Sequence, residues 1–150
     1  MMPSNANPKG NVQGGTIMKI VDDAALIVAE RHSHKNCVTA SIDRLDFISP
    51  VYVGNAVFAK ASINYVSKTS MEICVLVEAE CLKTGVREHV ASAYLTFVAL
   101  DKNDKPTQIT QIIPETEEEK RRYLEAKERR RRRLKYIKDI ERNPDCIARV

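Results

Sequence analysis

Hydrophobic positions along the chain fall into one helical block, four alternating blocks and a closing charged block. Between residues 14 and 32, Ile17, Ile20, Val21, Ala24, Ile27 and Val28 recur at spacings of three and four, the signature of a helix. Met18, Ala25, Leu26 and Ala29 carry apolar character around its remaining faces. A helix apolar nearly all round is expected inside a core and not on a surface. Extended segments follow over 37–47, 57–65, 71–80 and 90–99. In the third, Met71, Ile73, Val75, Val77 and Ala79 alternate with Glu72, Cys74, Leu76, Glu78 and Glu80. Period-two alternation with one apolar face predicts half-buried antiparallel strands, and the links at 66–70 and 83–85 suit hairpins. One buried helix followed by a meander of long strands predicts an α+β architecture in which the sheet curls around the helix.

After residue 106 the character changes. Pro114 stands just ahead of a charged stretch whose first turns are rich in Glu, which suits a helix start. Its apolar content is too thin for a core, so it is expected on the outside or toward a partner. The expected division is a domain over 1–106, then a linker and charged helix over 107–150. Residues 1–114 hold 11 Lys/Arg and 11 Asp/Glu, whereas 115–150 hold 13 and 9. The whole net charge of +4 therefore sits in the tail, and general affinity for polyanions is not a property of the main body. With 43% hydrophobic and 29% charged residues in 150, the composition is that of one ordinary globular domain. Trp is absent, so aromatic stacking on bases or sugars is not the expected binding device. No apolar run approaches the roughly 20 residues of a membrane span and no secretory h-region is visible at the start. A cytoplasmic protein without membrane insertion is expected. Cys37, Cys74, Cys81 and Cys146 form no C-x-x-C pair and no zinc-finger spacing; free thiols and no metal site are expected.

Candidate chemistry concentrates in the first helix. Asp22 and Asp23 lie in the middle of its apolar run, where an ionised carboxylate needs a partner or a function. Neighbours on a helix diverge by about 100°, so one is expected to serve a pocket and the other a salt bridge. Gly14 and Gly15 open the helix, placing unpaired N–H groups and the positive dipole end where a ligand can approach. Such a site suits an oxyanion or a phosphate, although the pattern is not a nucleotide loop. His32, His34 and His89 form no recognisable nucleophilic triad, and G-x-S-x-G is absent. The run Arg129–Arg133 fits a solvated helix face, a nucleic-acid contact or a polyphosphate contact equally well.

Taken in order, PSNANPKGNVQGGTIMKIVDDAALIVAERH, VTASIDRLDF, SKTSMEICVLVEAE and ASAYLTFVALD resemble the acyl-CoA thioesterases of the hotdog-fold superfamily, particularly the cytosolic (brain-type) acyl-CoA hydrolases. The likeness runs from about residue 3 to 135 and implies hydrolysis of a fatty acyl-CoA to free acid and CoA. It implies Asn11 and Asp22 as catalytic groups contributed from opposite copies, with Asp22 acting as general base or nucleophile and the Gly15 N–H steadying the oxyanion. It further implies CoA contacts at Ala40, Ser41 and Ile42, at Thr69, Ser70 and Met71, and near Arg131. No cofactor is implied, since CoA belongs to substrate and product. Self-association as a dimer, and as a trimer of dimers in a homohexamer, is implied as well. The alternatives are a non-catalytic acyl-CoA binding module, or an RNA-binding protein using Arg129–Arg133. The neutral body and few aromatics weigh against nucleic acid.

Overall fold

The computed structural model describes residues 1–142, which divide at 112/113 into two units. The first begins with a short turn and enters helix α1 (Gly14–Ser33). Four strands follow: β1 (Asn36–Phe47), β2 (Ala56–Val66), β3 (Ser70–Glu80) and β4 (Arg87–Leu100). The helix stops at His34, whose φ of 53° is left-handed and whose N–H donates back to the Glu30 carbonyl at 2.8 Å, a common helix ending.

All four strands pair antiparallel in the order β1-β4-β3-β2. Only β2, β3 and β4 form the expected meander; β1 lies across the sheet against β4. The segment between β1 and β2 makes this crossover. It is tied at one end by Ile48 N–H to the Val90 carbonyl, and further on by Val12 N–H to the Val51 carbonyl, both 2.8 Å.

One sheet face carries Met71, Ile73, Val75 and Val77 with Leu95 and Phe97, all fully buried with Ile17, Val21, Ala25 and Ala29 of α1. These four helix residues are four apart and share one stripe. The alanines let the helix backbone come close to the strands. The expectation of a helix buried on every side is corrected here: Met18 is 41% and Ile27 58% exposed, because a four-stranded sheet covers only one face.

Residues 107–112, expected in the linker, belong instead with the first unit. Ile109 is buried in its core, Thr107 N–H donates to the Ala99 carbonyl at 2.9 Å, and Ile109 N–H to the Lys68 carbonyl at 3.0 Å. The second unit contains helix α2 (Glu117–Arg142). Its start is a reciprocal cap: Glu119 N–H donates to Thr116 Oγ1, while the Glu119 carboxylate accepts from the Thr116 and Glu115 N–H groups. Cys37, Cys74 and Cys81 are free thiols, and Cys146 lies outside the described residues. Among the described residues no helix is long and apolar enough to cross a membrane.

Candidate active site

Asp22 projects from α1, half-buried, toward the first half of β1. There Thr39 Oγ1 donates to Asp22 Oδ1 at 2.6 Å. That bond holds one carboxylate oxygen and leaves the other to act. Asp23 points away and pairs with Lys19 Nζ at 2.9 Å, which raises the lysine's pKa. The two adjacent acids therefore separate as their helical angle requires, one toward the sheet and one into a surface ion pair.

Thr39 precedes two irregularities in β1, between Thr39 and Ser41 and between Ile42 and Arg44. The first leaves Ala40 out of the β1–β4 register, exposed on an edge strand. Bulges next to a site re-aim backbone groups, and Ala40, Ser41 and Ile42 present theirs on this edge. Thr39 and Met71 both register with Phe97 of β4, from either side. The fold thus brings Ala40–Ile42 and Thr69–Met71 to one end of the sheet, alongside Asp22. Met71 is 1% exposed, so only its backbone can face a ligand. Ser70 Oγ lies 2.8 Å from Ser67 Oγ, in the tight turn that connects β2 to β3.

A second group of polar residues gathers where α1 begins. A cavity of about 330 Å³ is lined by Asn7, Asn11, Gly14, Phe47 and Ser49, among others. Asn7 Oδ1 accepts N–H bonds from Lys9 at 2.9 Å and from Asn11 at 3.2 Å. Two backbone donors fix which side-chain atom is the oxygen, so the Asn7 Nδ2 donors are left for a ligand. No side chain caps the helix here; Gln13, at the cap position, makes no cap bond. Gln13 N–H donates to the Asn5 carbonyl at 2.8 Å and Thr16 N–H to the Gln13 carbonyl at 3.0 Å; the Gly14 and Gly15 N–H groups remain open, as an anion site requires. A Cβ on Gly14 would lie 3.4 Å from the Phe47 ring, whereas one on Gly15 would meet nothing within 4 Å. Gly14 is therefore fitted to its neighbour and Gly15 faces open space.

Asp22 is not among the residues lining this cavity. It lies seven positions along the helix from Gly15, roughly 10 Å along the axis. Arg131 lies on α2 with its guanidinium bonded to Glu128 at 2.7 and 2.8 Å. Two of the three histidines have local roles: His32 Nε2 contacts the Thr110 carbonyl, and His89 Nε2 the Ser92 hydroxyl. Among the described residues no group of three His, Cys, Asp or Glu side chains could hold a metal. Two residues that the structure places beside these groups were not singled out by the sequence. Thr39 is 17 residues from Asp22, and only the packing of helix on strand joins them. Asn7 sits in the same loop as Asn11, and only the hydrogen bonds distinguish their side chains.

Residues 9–86 match the thioesterase superfamily. Over 119 residues the chain is 42% identical to the uncharacterized acyl-CoA thioester hydrolase YkhA of Bacillus subtilis, covering 79% of this chain and 69% of that one. Identity to the cytosolic acyl coenzyme A thioester hydrolase of Rattus norvegicus is 40%, over 85% of this chain and 34% of that protein; the chain spans about a third of the mammalian enzyme's length. The acyl-CoA hydrolase of Staphylococcus aureus, solved with butyryl-CoA, CoA and CoA disulfide, superposes with a TM-score of 0.87 at 32% identity, over 99% of this chain and 91% of that one. That enzyme has also been solved with an asparagine, an aspartate or a threonine replaced by alanine; the asparagine precedes the aspartate by 15 positions and the threonine follows it by 17. An apo-hexameric acyl-CoA thioesterase superposes with a TM-score of 0.86 at 37% identity, covering 91% of this chain and 88% of that chain. The fold is a hotdog thioesterase fold. The chain belongs to the thioesterase superfamily, among its acyl-CoA thioester hydrolases.

Proposed function

We propose that the protein hydrolyses fatty acyl-CoA to free fatty acid and CoA, in sites assembled from two copies of the chain. The single observation that carries this reading is the Asp22–Thr39 pair: a half-buried carboxylate with one oxygen held at 2.6 Å and the other free. In this reading Asp22 takes a proton from water as general base. The resulting hydroxide attacks the thioester carbonyl, and the tetrahedral oxyanion collapses with loss of CoA thiolate, which is then protonated. A thiolate leaves readily, so no dedicated general acid is needed, in keeping with His32 and His89 being engaged elsewhere. Direct attack by Asp22 on the carbonyl remains the competing route, and trapping an acyl-enzyme with hydroxylamine would favour it.

The open N–H groups at the start of α1, that of Gly15 included, would stabilise the oxyanion. For the asparagine the reading moves from Asn11 to Asn7. The spacing from Asn7 to Asp22 to Thr39 is 15 and then 17 residues, the spacing of the three positions altered in the Staphylococcus aureus enzyme. Asn7 also has its amide oxygen tied to backbone and its Nδ2 donors available. Because Asp22 and the Gly15 amide lie roughly 10 Å apart along one helix, a partner copy supplies one half of each site. The hexameric relative supports a trimer of dimers as the assembly. CoA would lie along the backbone of Ala40–Ile42 and Thr69–Met71, with a basic group near Arg131 for a phosphate. Water is the only co-reactant, no cofactor is required, and the cytoplasm is the proposed setting.

Release of free thiol from acyl-CoA by the purified protein tests the reading. Asp22→Ala is expected to lower kcat by about 10² to 10⁴, and Asn7→Ala by about 10² to 10³, with Asn11→Ala close to wild type. Equal turnover by Asp22→Ala removes Asp22 from the chemistry, and CoA binding without turnover by the wild type reduces the protein to a binding module.

A further inference from the structure

A larger cavity, of about 680 Å³, opens where the 50–55 loop meets the β3–β4 hairpin. Its walls include Tyr52, Val53, Ala79, Leu82 and Val86. Four of these are exposed large apolar groups: Leu82 at 67%, Val86 at 55%, Tyr52 at 52% and Val53 at 37%. Apolar surface gathered in a concavity marks a binding site more often than apolar residues scattered singly. The charged groups at this cavity, Lys83 and Glu88, are long side chains whose heads can stay in water.

This cavity adjoins the one holding Asn7, Asn11 and Gly14. Pro50 lines both. The wall between them is pinned by two backbone contacts, Val12 N–H to the Val51 carbonyl at 2.8 Å and the Asn11–Tyr52 bridge. The smaller cavity is polar where reaction would occur, and the larger is apolar on its far side. A fatty acyl thioester has the same polarity order, a polar carbonyl followed by a saturated tail.

We infer that the cavity beneath the β3–β4 hairpin receives the acyl tail of the substrate, and that Leu82 and Val86 set chain-length preference. The inference rests on the reading of the smaller cavity as a thioesterase half-site. The shared residue Pro50 sets the two cavities side by side, and that adjacency, with the matching polarity order, selects the acyl tail as occupant over an unrelated ligand. Each methylene buried there adds to binding, so kcat/KM is expected to rise about tenfold per two carbons until the cavity fills.

The experiment is a chain-length series from acetyl-CoA to palmitoyl-CoA with wild type, Val86→Trp, Leu82→Trp and Leu82→Ser. The indole variants are expected to keep acetyl-CoA and butyryl-CoA turnover within twofold while losing tenfold or more on the longest substrates. Leu82→Ser, which adds no bulk, is expected to flatten the rise with length. A readout independent of activity is alkylation of Cys81, which lines the same cavity and whose thiol is acidified first by the Thr84 hydroxyl and then by the Lys83 and Thr84 N–H groups. A non-hydrolysable palmitoyl thioether of CoA is expected to protect Cys81, and the acetyl analogue is not. A parallel profile in all variants, with no chain-dependent protection, overturns the inference while leaving short-chain hydrolysis and the Asp22 reading intact. The same flat profile with a changed oligomeric state would assign the cavity to a second copy of the chain and overturn it too. Absence of turnover on every substrate by the wild type overturns the Asp22 reading, and this inference with it.

Discussion

Neighbouring side chains on a helix point about 100° apart, and that angle gives Asp22 and Asp23 different chemistry. Asp23 belongs to a surface pair with Lys19, whose pKa its hydrogen bond and charge raise above 10.5. A raised lysine pKa makes the pair's contribution present below the ordinary lysine value and lost as pH climbs through the raised one. That window lies well above neutrality. Asp23→Asn is therefore expected to leave turnover and its neutral pH profile unchanged, whereas Asp22→Asn is expected to abolish turnover if Asp22 is the proposed base. Thr39→Val keeps shape and removes the donor to Asp22. It is expected to lower kcat about tenfold with little change in KM, because in the proposed reading the hydroxyl orients the base and does not touch substrate. A matched rise in KM would show that Thr39 contacts substrate directly. That adjacent acids would part, one into a salt bridge and the other, Asp22, away from it, was legible in the sequence. Its partner was not, because no local pattern announces a threonine 17 residues away across a helix–strand contact.

Among the elements, periodicity carried the expectations furthest. The 3.6-residue spacing located α1 within a residue or two, and the alternation located all four strands, because each signal reports a face that the core must cover. Strand order was not legible: the 48–55 crossover carries no pairing pattern, and β1 settles beside β4. Exposure of Met18 and Ile27 was also unreadable, since composition alone cannot count how many sheets a helix meets. Ala25, fully buried against the strands, is expected to resist enlargement; Ala25→Leu should cost about 1–3 kcal/mol in chemical denaturation. Helix α2 is held differently, by local charge. Arg121 and then Arg122 draw the Glu118 pKa from 4.5 to about 2, and Arg131 and then Arg132 do the same for Glu128. A depressed carboxylate pKa contributes stability above its unfolded value and loses it as pH falls through the folded one. Helical circular dichroism contributed by α2 is thus expected to decline between about pH 4.5 and 2, and the decline should shrink in Glu118→Gln/Glu128→Gln, whose side chains no longer titrate. An unchanged acid transition in that double variant would place the cause elsewhere.

For the molecule as a whole, the proposed reading gives one chain two halves of a site that its own helix keeps apart. Asp22 and Thr39 stand at the sheet end that also presents Ala40–Ile42 and Thr69–Met71, whereas Asn7 and the open N–H groups stand at the start of α1. Family resemblance alone implied two copies; helix rise gives a physical reason, because about 1.5 Å per residue spreads Gly15 and Asp22 too far for one carbonyl to meet both. The consequence is testable without a structure of the assembly. Chains bearing Asn7→Ala retain Asp22, and chains bearing Asp22→Ala retain Asn7. Alone, each is expected to be nearly inactive. When the two are mixed after reversible dissociation, half of the dimers pair unlike chains, and each such dimer holds one intact site and one doubly altered site. Activity is then expected to recover to about one quarter of wild type. No such recovery can arise if a single chain supplies every group, since every chain in the mixture carries one lesion. A mixture that stays at the level of the separate variants, although exchange of subunits is verified by mass, would confine the site to one chain and end the composite reading.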